Sequence, residues 1–358
     1  MPLPTTIDGF HRAFALVQPE GLVGYINGGA SEGLTVGRNA DAWQSISVRP
    51  RMLANAGAVD TSVTVLGRPL AHPIMIAPMG FQELLHPGGG RLVAQAAAAT
   101  QTLYCHSTFA SASFAELESV DGLNWWFQLY AFADWGLTLA LVDRAIAAGA
   151  GAIVLTVDLA TLGLRQRDVD TGFTLRGKQV VPCLAEAGAS DPRLAPMWAS
   201  LHHDLTWDSL AQIVAHSTVP VVVKGLLRGD DALLAVEHGA SGIIVSNHGG
   251  RQLDTAVPTA YALPEIVEAV NGTASVMVDS GIRSGLDVVK AIALGADAAF
   301  IGRPVQWGLS LAGAEGVQRV MSLLLDDFTR SLVLVGARKV SRLDRSIVAM
   351  PDRATLRN

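Results

Sequence analysis

Cysteine is scarce. The 358 residues contain two, Cys105 and Cys183, which excludes a disulfide scaffold. Charge is sparse as well. Charged residues make up 16%, with 26 Lys plus Arg against 32 Asp plus Glu, a net charge of −6. A general nucleic-acid binder is excluded, because nothing would neutralise a run of phosphates. No stretch approaches the roughly 18 uninterrupted apolar residues of a membrane span, so no membrane partner is expected. The first ten residues carry Asp8 and two prolines instead of a basic-then-apolar leader. Together these point to a cytoplasmic, reducing location. His202 and His203 lack metal-ligand spacing, and no metal is expected.

What is abundant is apolar material, 50% of the chain, which excludes intrinsic disorder and supports a large core. Length alone permits two domains, yet α/β barrels of about 250 residues run as one. From residue 73 onward, short β-branched or apolar runs alternate with alanine-rich helical runs. The strand candidates are 74–78, 103–108, 126–130, 153–158, 220–225, 242–248, 276–279 and 299–303. Their continuous apolar character fits strands buried on both faces of a parallel sheet. The clearest helices are 90–100, 135–148, 207–216, 230–238, 262–270 and 284–294. Asp230 and Ser284 stand as caps, and Gly239 and Gly295 as stops. A strand–helix unit repeated eight times is the signature of a (β/α)8 TIM barrel. A doubly wound sheet is disfavoured by the count and by the lack of a Gly-X-Gly-X-X-Gly after the first strand. The expected organisation is one domain over 1–358. Residues 1–70 form a helical cover with a hairpin around Gly67-Arg68-Pro69, residues 73–330 the barrel, and residues 168–206 a lid loop after strand four.

Barrel enzymes carry their chemistry at the C-terminal ends of the strands. Here those ends are polar in turn: Ser107-Thr108, Gln128 and Tyr130, Thr156 and Asp158 with Arg165 beyond. The series continues with Lys224, then Ser246-Asn247-His248 with Arg251, then Asp279 with Arg283, then Gly302-Arg303. One such residue is ordinary. Seven strand ends together are not, because unpaired polar groups in a barrel core are costly. Strands seven and eight offer glycines and two guanidinium groups, a phosphate-binding pattern. The segment Ser246-Asn-His-Gly-Gly-Arg-Gln-Leu-Asp254 sets an imidazole three residues from a guanidinium, which suits proton removal from an anionic substrate.

Over nearly its whole length the sequence resembles the FMN-dependent 2-hydroxy-acid oxidases and dehydrogenases. That family includes glycolate oxidase, lactate oxidase, mandelate dehydrogenase and hydroxymandelate oxidase. The match runs through Tyr25-Ile-Asn-Gly-Gly-Ala, Ile76-Ala-Pro-Met, His86-Pro-Gly-Gly, Phe127-Gln-Leu-Tyr, Thr156-Val-Asp, Val223-Lys-Gly, the 246–254 segment, Asp279-Ser-Gly-Ile-Arg and Ile301-Gly-Arg-Pro. Among the branches it looks most like the hydroxymandelate oxidases.

The resemblance implies FMN as cofactor and His248 as the catalytic base, oriented by Asp158. It implies Arg165 and Arg251 on the substrate carboxylate, Tyr25 there too, and Tyr130 on the substrate hydroxyl. Ala77, Pro78 and Met79 would run along the flavin, and Ser107, Gln128 and Thr156 would bond its edge. Lys224 would lie near flavin N1 and O2. Asp279 would take the ribityl hydroxyls, with Ser280 and Gly281 beside it, and Arg283, Gly302 and Arg303 the phosphate. The sequence also departs from the family. Phe109 stands where glycolate oxidases carry Trp, which reshapes the substrate pocket towards an aromatic, mandelate-like acid. Leu164 replaces the first arginine of a Gly-Arg-Arg, Ser280 replaces the first glycine of an Asp-Gly-Gly, and Met79-Gly80 differs from the more polar pair of plant enzymes. No haem domain or apolar insert is evident. The implied reaction is therefore oxidation of a 2-hydroxy acid, with O2 reoxidising the flavin to give H2O2. The alternative is the same half-reaction with a quinone or protein acceptor. A homotetramer or octamer is the family expectation.

Overall fold

The computed structural model describes residues 2–54, 57–175, 180–193 and 199–351. Eight parallel strands close a barrel in sequential order, as the (β/α)8 reading requires. We label them β1 (Ile74–Ile76), β2 (Tyr104–Ser107), β3 (Trp125–Leu129), β4 (Ile153–Thr156), β5 (Val221–Leu226), β6 (Gly242–Val245), β7 (Ser275–Val278) and β8 (Ala298–Ile301). β8 pairs with β1 to complete the ring. Nearly every strand residue is buried, because one face fills the barrel and the other packs on the helices.

The two faces form two apolar clusters. Met75, Cys105, Trp126, Val154, Val222, Ile244, Met277 and Phe300 fill the interior with Val65 and Leu70. The second cluster lies between strands and helices and takes in Phe10, Phe14 and Trp43 of the N-terminal helices. Val65 and Leu70 belong to a hairpin, Val63–Val65 paired antiparallel with Arg68–Leu70. Leu66 and Gly67 make its turn at φ 49° and 72°, and Leu66 N donates to Ser275 Oγ at the start of β7. The hairpin thus plugs the N-terminal end of the barrel.

The helix signals hold with local corrections. Ser284 caps Gly285–Ala293 in a reciprocal box with Asp287. Asp230 does not cap its helix. Gly229–Glu237 starts one residue earlier, its N-cap is Arg228, and Asp230 pairs with that arginine instead. The helix expected at 262–270 begins at Thr259, and Pro264 lies inside it, where it removes the N–H that would bond the Ala260 carbonyl. The 168–206 segment contains Pro182–Glu186 and the end of the helix Gln166–Thr171. Within it, 176–179 and 194–198 lie outside the described residues. After β8 runs Arg303–Leu334, broken at Ala312-Gly313. Among the described residues no helix is long and apolar enough to cross a membrane.

Candidate active site

A cleft of about 1160 Å3, open mouth included, lies over the C-terminal ends of the strands. Of the residues singled out in the sequence, Tyr25, Ala77, Pro78, Met79, Ser107, Phe109, Gln128, Tyr130, Thr156, Arg165, Lys224, His248, Arg251, Asp279, Ser280, Gly281, Arg283, Gly302 and Arg303 all line it. Asp158 stands one layer behind, its Oδ1 2.8 Å from His248 Nδ1.

Backbone geometry makes that pair possible. His248, Gly249 and Gly250 are successive left-handed residues, at φ 57°, 66° and 77°. For a histidine this is a strained conformation, of the kind that clusters at functional sites. On the opposite side, β5 bulges between Lys224 and Leu226. Gly225 in the bulge has φ 118°, and a Cβ there would sit 2.7 Å from Asp158 Cβ. Only glycine lets Asp158 approach this closely.

Burial pushes the His248 pKa down; Asp158 pulls it back up, and the net result stays below the usual histidine value. Burial alone would raise the Asp158 pKa, but His248 and Lys224 outweigh it and hold it below the ordinary carboxylate value. Around neutral pH the pair is therefore a neutral imidazole on a carboxylate. Its Nδ1 is engaged by Asp158, which leaves Nε2 for the cleft.

Five cations line the cleft, Arg165, Lys224, Arg251, Arg283 and Arg303, against Asp279, with Asp158 behind. Burial, then repulsion from Arg251, presses the Arg165 pKa down to about 9, and burial brings Arg283 to about 10. Arg303 is pressed further by burial and by Arg283. A guanidinium does not deprotonate, so these directions describe a pocket that favours bound anions. Arg165 Nη1 is buried with no hydrogen-bond partner among the described residues, and its Nη2 donates to Gln252 Oε1. Arg251 lies 5.0 Å over the Tyr25 ring and donates to the Tyr25 carbonyl. Arg303 is tied more tightly than its sequence position implies. Its Nε and Nη2 donate to the carbonyls of Ile26, Gly28 and Gly249.

On the floor, Ser107 Oγ donates to Gln128 Oε1 at 2.9 Å. Gln128 Nε2 and Thr156 Oγ1 are buried with no hydrogen-bond partner among the described residues. Unmet polar atoms on adjacent strand ends call for a ligand with a polar edge. Lys224 is 4% exposed, bonded to Ser246 Oγ at 3.1 Å and 3.6 Å from Asp279 Oδ2. Burial disfavours its charge, yet Asp158 and Asp279 raise its pKa overall, so it stays an ammonium. A Cβ on Gly302 would meet only Ala77 Cβ, at 3.9 Å, so the wall at the last strand is open for close backbone approach. The mouth is aromatic. Phe109 is buried between Phe81 at 5.8 Å and Tyr130 at 5.4 Å.

Sequence reasoning gave no role to Gln252, Ser246 or Phe81. Gln252 binds the Asp158 and Thr161 carbonyls as well as Arg165, so it fastens the loop after β4 to the loop after β6. Gln252 and Ser246 lie inside the 246–254 segment, and Phe81 follows the Ala77-Pro78-Met79 run. The adjacency was the available signal.

The sequence profile described as FMN-dependent dehydrogenase matches residues 16–350. The chain is 44% identical over 337 residues to an L-lactate oxidase of Nostoc sp., covering 90% of this chain and 92% of that one. It is 41% identical over 347 residues to 4-hydroxymandelate oxidase of Amycolatopsis orientalis, covering 95% and 97%. A solved structure of mandelate oxidase matches with a TM-score of 0.89 at 39% identity, over 97% of this chain and 98% of that one. Agreement on this scale in sequence and in three dimensions, around a cleft of this chemistry, makes the chain a member of the FMN-dependent dehydrogenase family, with FMN as its cofactor.

Proposed function

We propose that the chain oxidises a 2-hydroxy acid to the 2-keto acid, with O2 reoxidising the flavin to give H2O2. The observation that carries this reading is one geometry: a neutral histidine on a buried aspartate, set in the same cleft as two arginines that form no salt bridge with a carboxylate among the described residues. The unmet Gln128 and Thr156 atoms, the open Gly302 wall, Arg283 after β7 and Arg303 after β8 fit FMN. Counting Asp158 and Asp279, the cleft has a surplus of three positive charges. A substrate carboxylate and a phosphate of about two charges neutralise it.

In this reading Ser107, Gln128 and Thr156 bind the flavin edge, and Ala77, Pro78 and Met79 lie along it. Asp279 takes the ribityl hydroxyls beside the Ser280 and Gly281 backbone, and Arg283, Gly302 and the remaining Nη1 of Arg303 hold the phosphate. Lys224 keeps an ammonium against the cofactor. Bound FMN would supply the acceptor for the electron pair and the second hydrogen and, when reduced, the reductant of O2. The protein's own residues prepare the substrate. Arg165 and Arg251 fix its carboxylate with Tyr25, and Tyr130 donates to its hydroxyl oxygen; burial, then Asp158, holds the Tyr130 phenol protonated. His248 Nε2 accepts one proton, and Asp158 stabilises the resulting imidazolium. Phe109, Phe81 and Tyr130 form an aromatic wall that favours an aromatic substituent on the acid. We further propose a cytoplasmic location, a homotetramer or octamer, and a lid role for 168–206.

The test is product stoichiometry. Air-saturated turnover of a 2-hydroxy acid should yield one H2O2 per keto acid. Turnover seen only with an added dye acceptor would reject the oxidase and favour a quinone or protein acceptor.

A further inference from the structure

Ser280 occupies a place where glycine would be at ease. Its φ is 72°, in the left-handed region that costs a non-glycine residue about 1 kcal/mol or more. The strain is held from outside, since Trp43 Nε1 and Thr259 Oγ1 both donate to the Ser280 carbonyl. Its side chain is buried and fully engaged. The hydroxyl donates to Asp279 Oδ1 at 2.6 Å and accepts from Gly249 N at 2.9 Å.

Those two bonds complete a ring. Asp279 Oδ2 faces Lys224 Nζ at 3.6 Å, and Lys224 Nζ donates to Ser246 Oγ at 3.1 Å. Ser246 Oγ also accepts from His248 N at 3.0 Å, and the next peptide N–H, that of Gly249, returns to Ser280. Ser246 and Ser280 therefore hold two consecutive N–H groups of the left-handed run that carries the base. They connect that run to the Lys224–Asp279 ion pair on the cofactor side.

We infer that Ser280 is a positioning residue that locks the His248 loop to the Lys224–Asp279 pair, coupling the placement of the base to the cofactor-facing charges. The inference rests on the functional reading above for its kinetic arm alone. A glycine at 280 would relieve the backbone strain and leave the Gly249 N–H without its partner. An alanine would keep the strain and lose the same bond.

The test compares the holoenzyme with its Ser280→Gly and Ser280→Ala variants by amide hydrogen exchange, thermal unfolding and steady-state kinetics. Exchange in the peptide spanning 246–252 should be faster in both variants. Ser280→Gly should unfold above Ser280→Ala, because it sheds the backbone strain that the alanine keeps while both lose the same bonds. In both, kcat should fall about tenfold with KM within about threefold, as expected when a bond that orients a reacting group is lost. Unchanged exchange and kcat in either variant would overturn the lock. So would a Ser280→Gly variant whose unfolding temperature and kcat fall together with faster exchange throughout the barrel, since that is a purely structural role. If no 2-hydroxy acid reduces the parent holoenzyme, the functional reading fails, while the exchange data still decide the ring.

Discussion

Replacing Asp158 by asparagine removes a charge and little volume, so it isolates the electrostatic part of the base. Asp158 Oδ1 and His248 Nδ1 are 2.8 Å apart, with side chains 12% and 22% exposed, so solvent screens the pair weakly. At an effective dielectric near 20, unit charges about 4 Å apart interact by about 4 kcal/mol. That interaction develops only as the imidazole takes a proton. A charge-assisted hydrogen bond of this kind is worth about 1.5–3 kcal/mol net. Taking about 3 kcal/mol, flavin reduction should slow about 10²-fold, with little change in KM. The pH profile should move as well. With His248 as the proposed base, activity should require the neutral imidazole and be lost as pH falls through its pKa. Asp158 raises that pKa against the larger effect of burial, so the asparagine lowers it further. The acid limb of kcat/KM should therefore shift to lower pH. Stopped-flow flavin bleaching across pH measures both. A variant that reduces flavin at the parent rate, with an unmoved acid limb, would refute the assignment of these two residues as one unit.

Arg165→Met should lower kcat/KM about 10²-fold through loss of carboxylate binding, without lowering Tm, because it removes a buried guanidinium with an unmet Nη1 crowded by Arg251. Substrate kinetics and thermal unfolding read the two effects separately. Gly225→Ala should destabilise by about 3 kcal/mol and loosen the Asp158–His248 pair, since its Cβ would lie 2.7 Å from Asp158 Cβ at φ 118°; an unchanged Tm would contradict it. His106 is fully buried against Tyr104 and Cys183, and burial lowers its pKa to about 3. The unfolded chain binds that proton near 6.5 and the folded chain does not. Stability should thus erode as pH falls from about 6.5 towards 3, by up to on the order of 5 kcal/mol. Denaturant unfolding of His106→Gln should show a flatter acid slope than the parent.

The barrel was legible because each strand is buried on both faces, so its apolar run stands out against the helical periods on either side. The strand-end residues were legible for a related reason: a polar side chain closing an apolar run has few other places to go. Ser284 and the hairpin around Gly67 are local, and local chemistry reads directly, although Arg68 and Pro69 belong to its second strand and the turn is Leu66-Gly67. The contacts that hold the site in register are not local. Asn39 and Asn247 exchange reciprocal amide hydrogen bonds across 208 residues of chain, and Asp254 accepts from Leu34 N and Thr35 N across about as many. No spacing or period announces such pairs. The same is true of Arg303, whose Nε and Nη2 bind backbone carbonyls in the cover and in the loop after β6. Asp230 is not a cap because the helix starts before it, at Gly229, whose N–H is taken by the distant Glu265 carboxylate at 2.8 Å.

The most direct test of the account is anaerobic mixing of the yellow holoprotein with 2-hydroxy acids of both configurations, aromatic and aliphatic, while flavin absorbance is followed. The parent protein should bleach with one configuration of at least one acid, and His248→Ala should bind FMN, stay yellow and fail to bleach. Bleaching of His248→Ala at the parent rate would contradict the central claim that His248, set against Asp158, is the base.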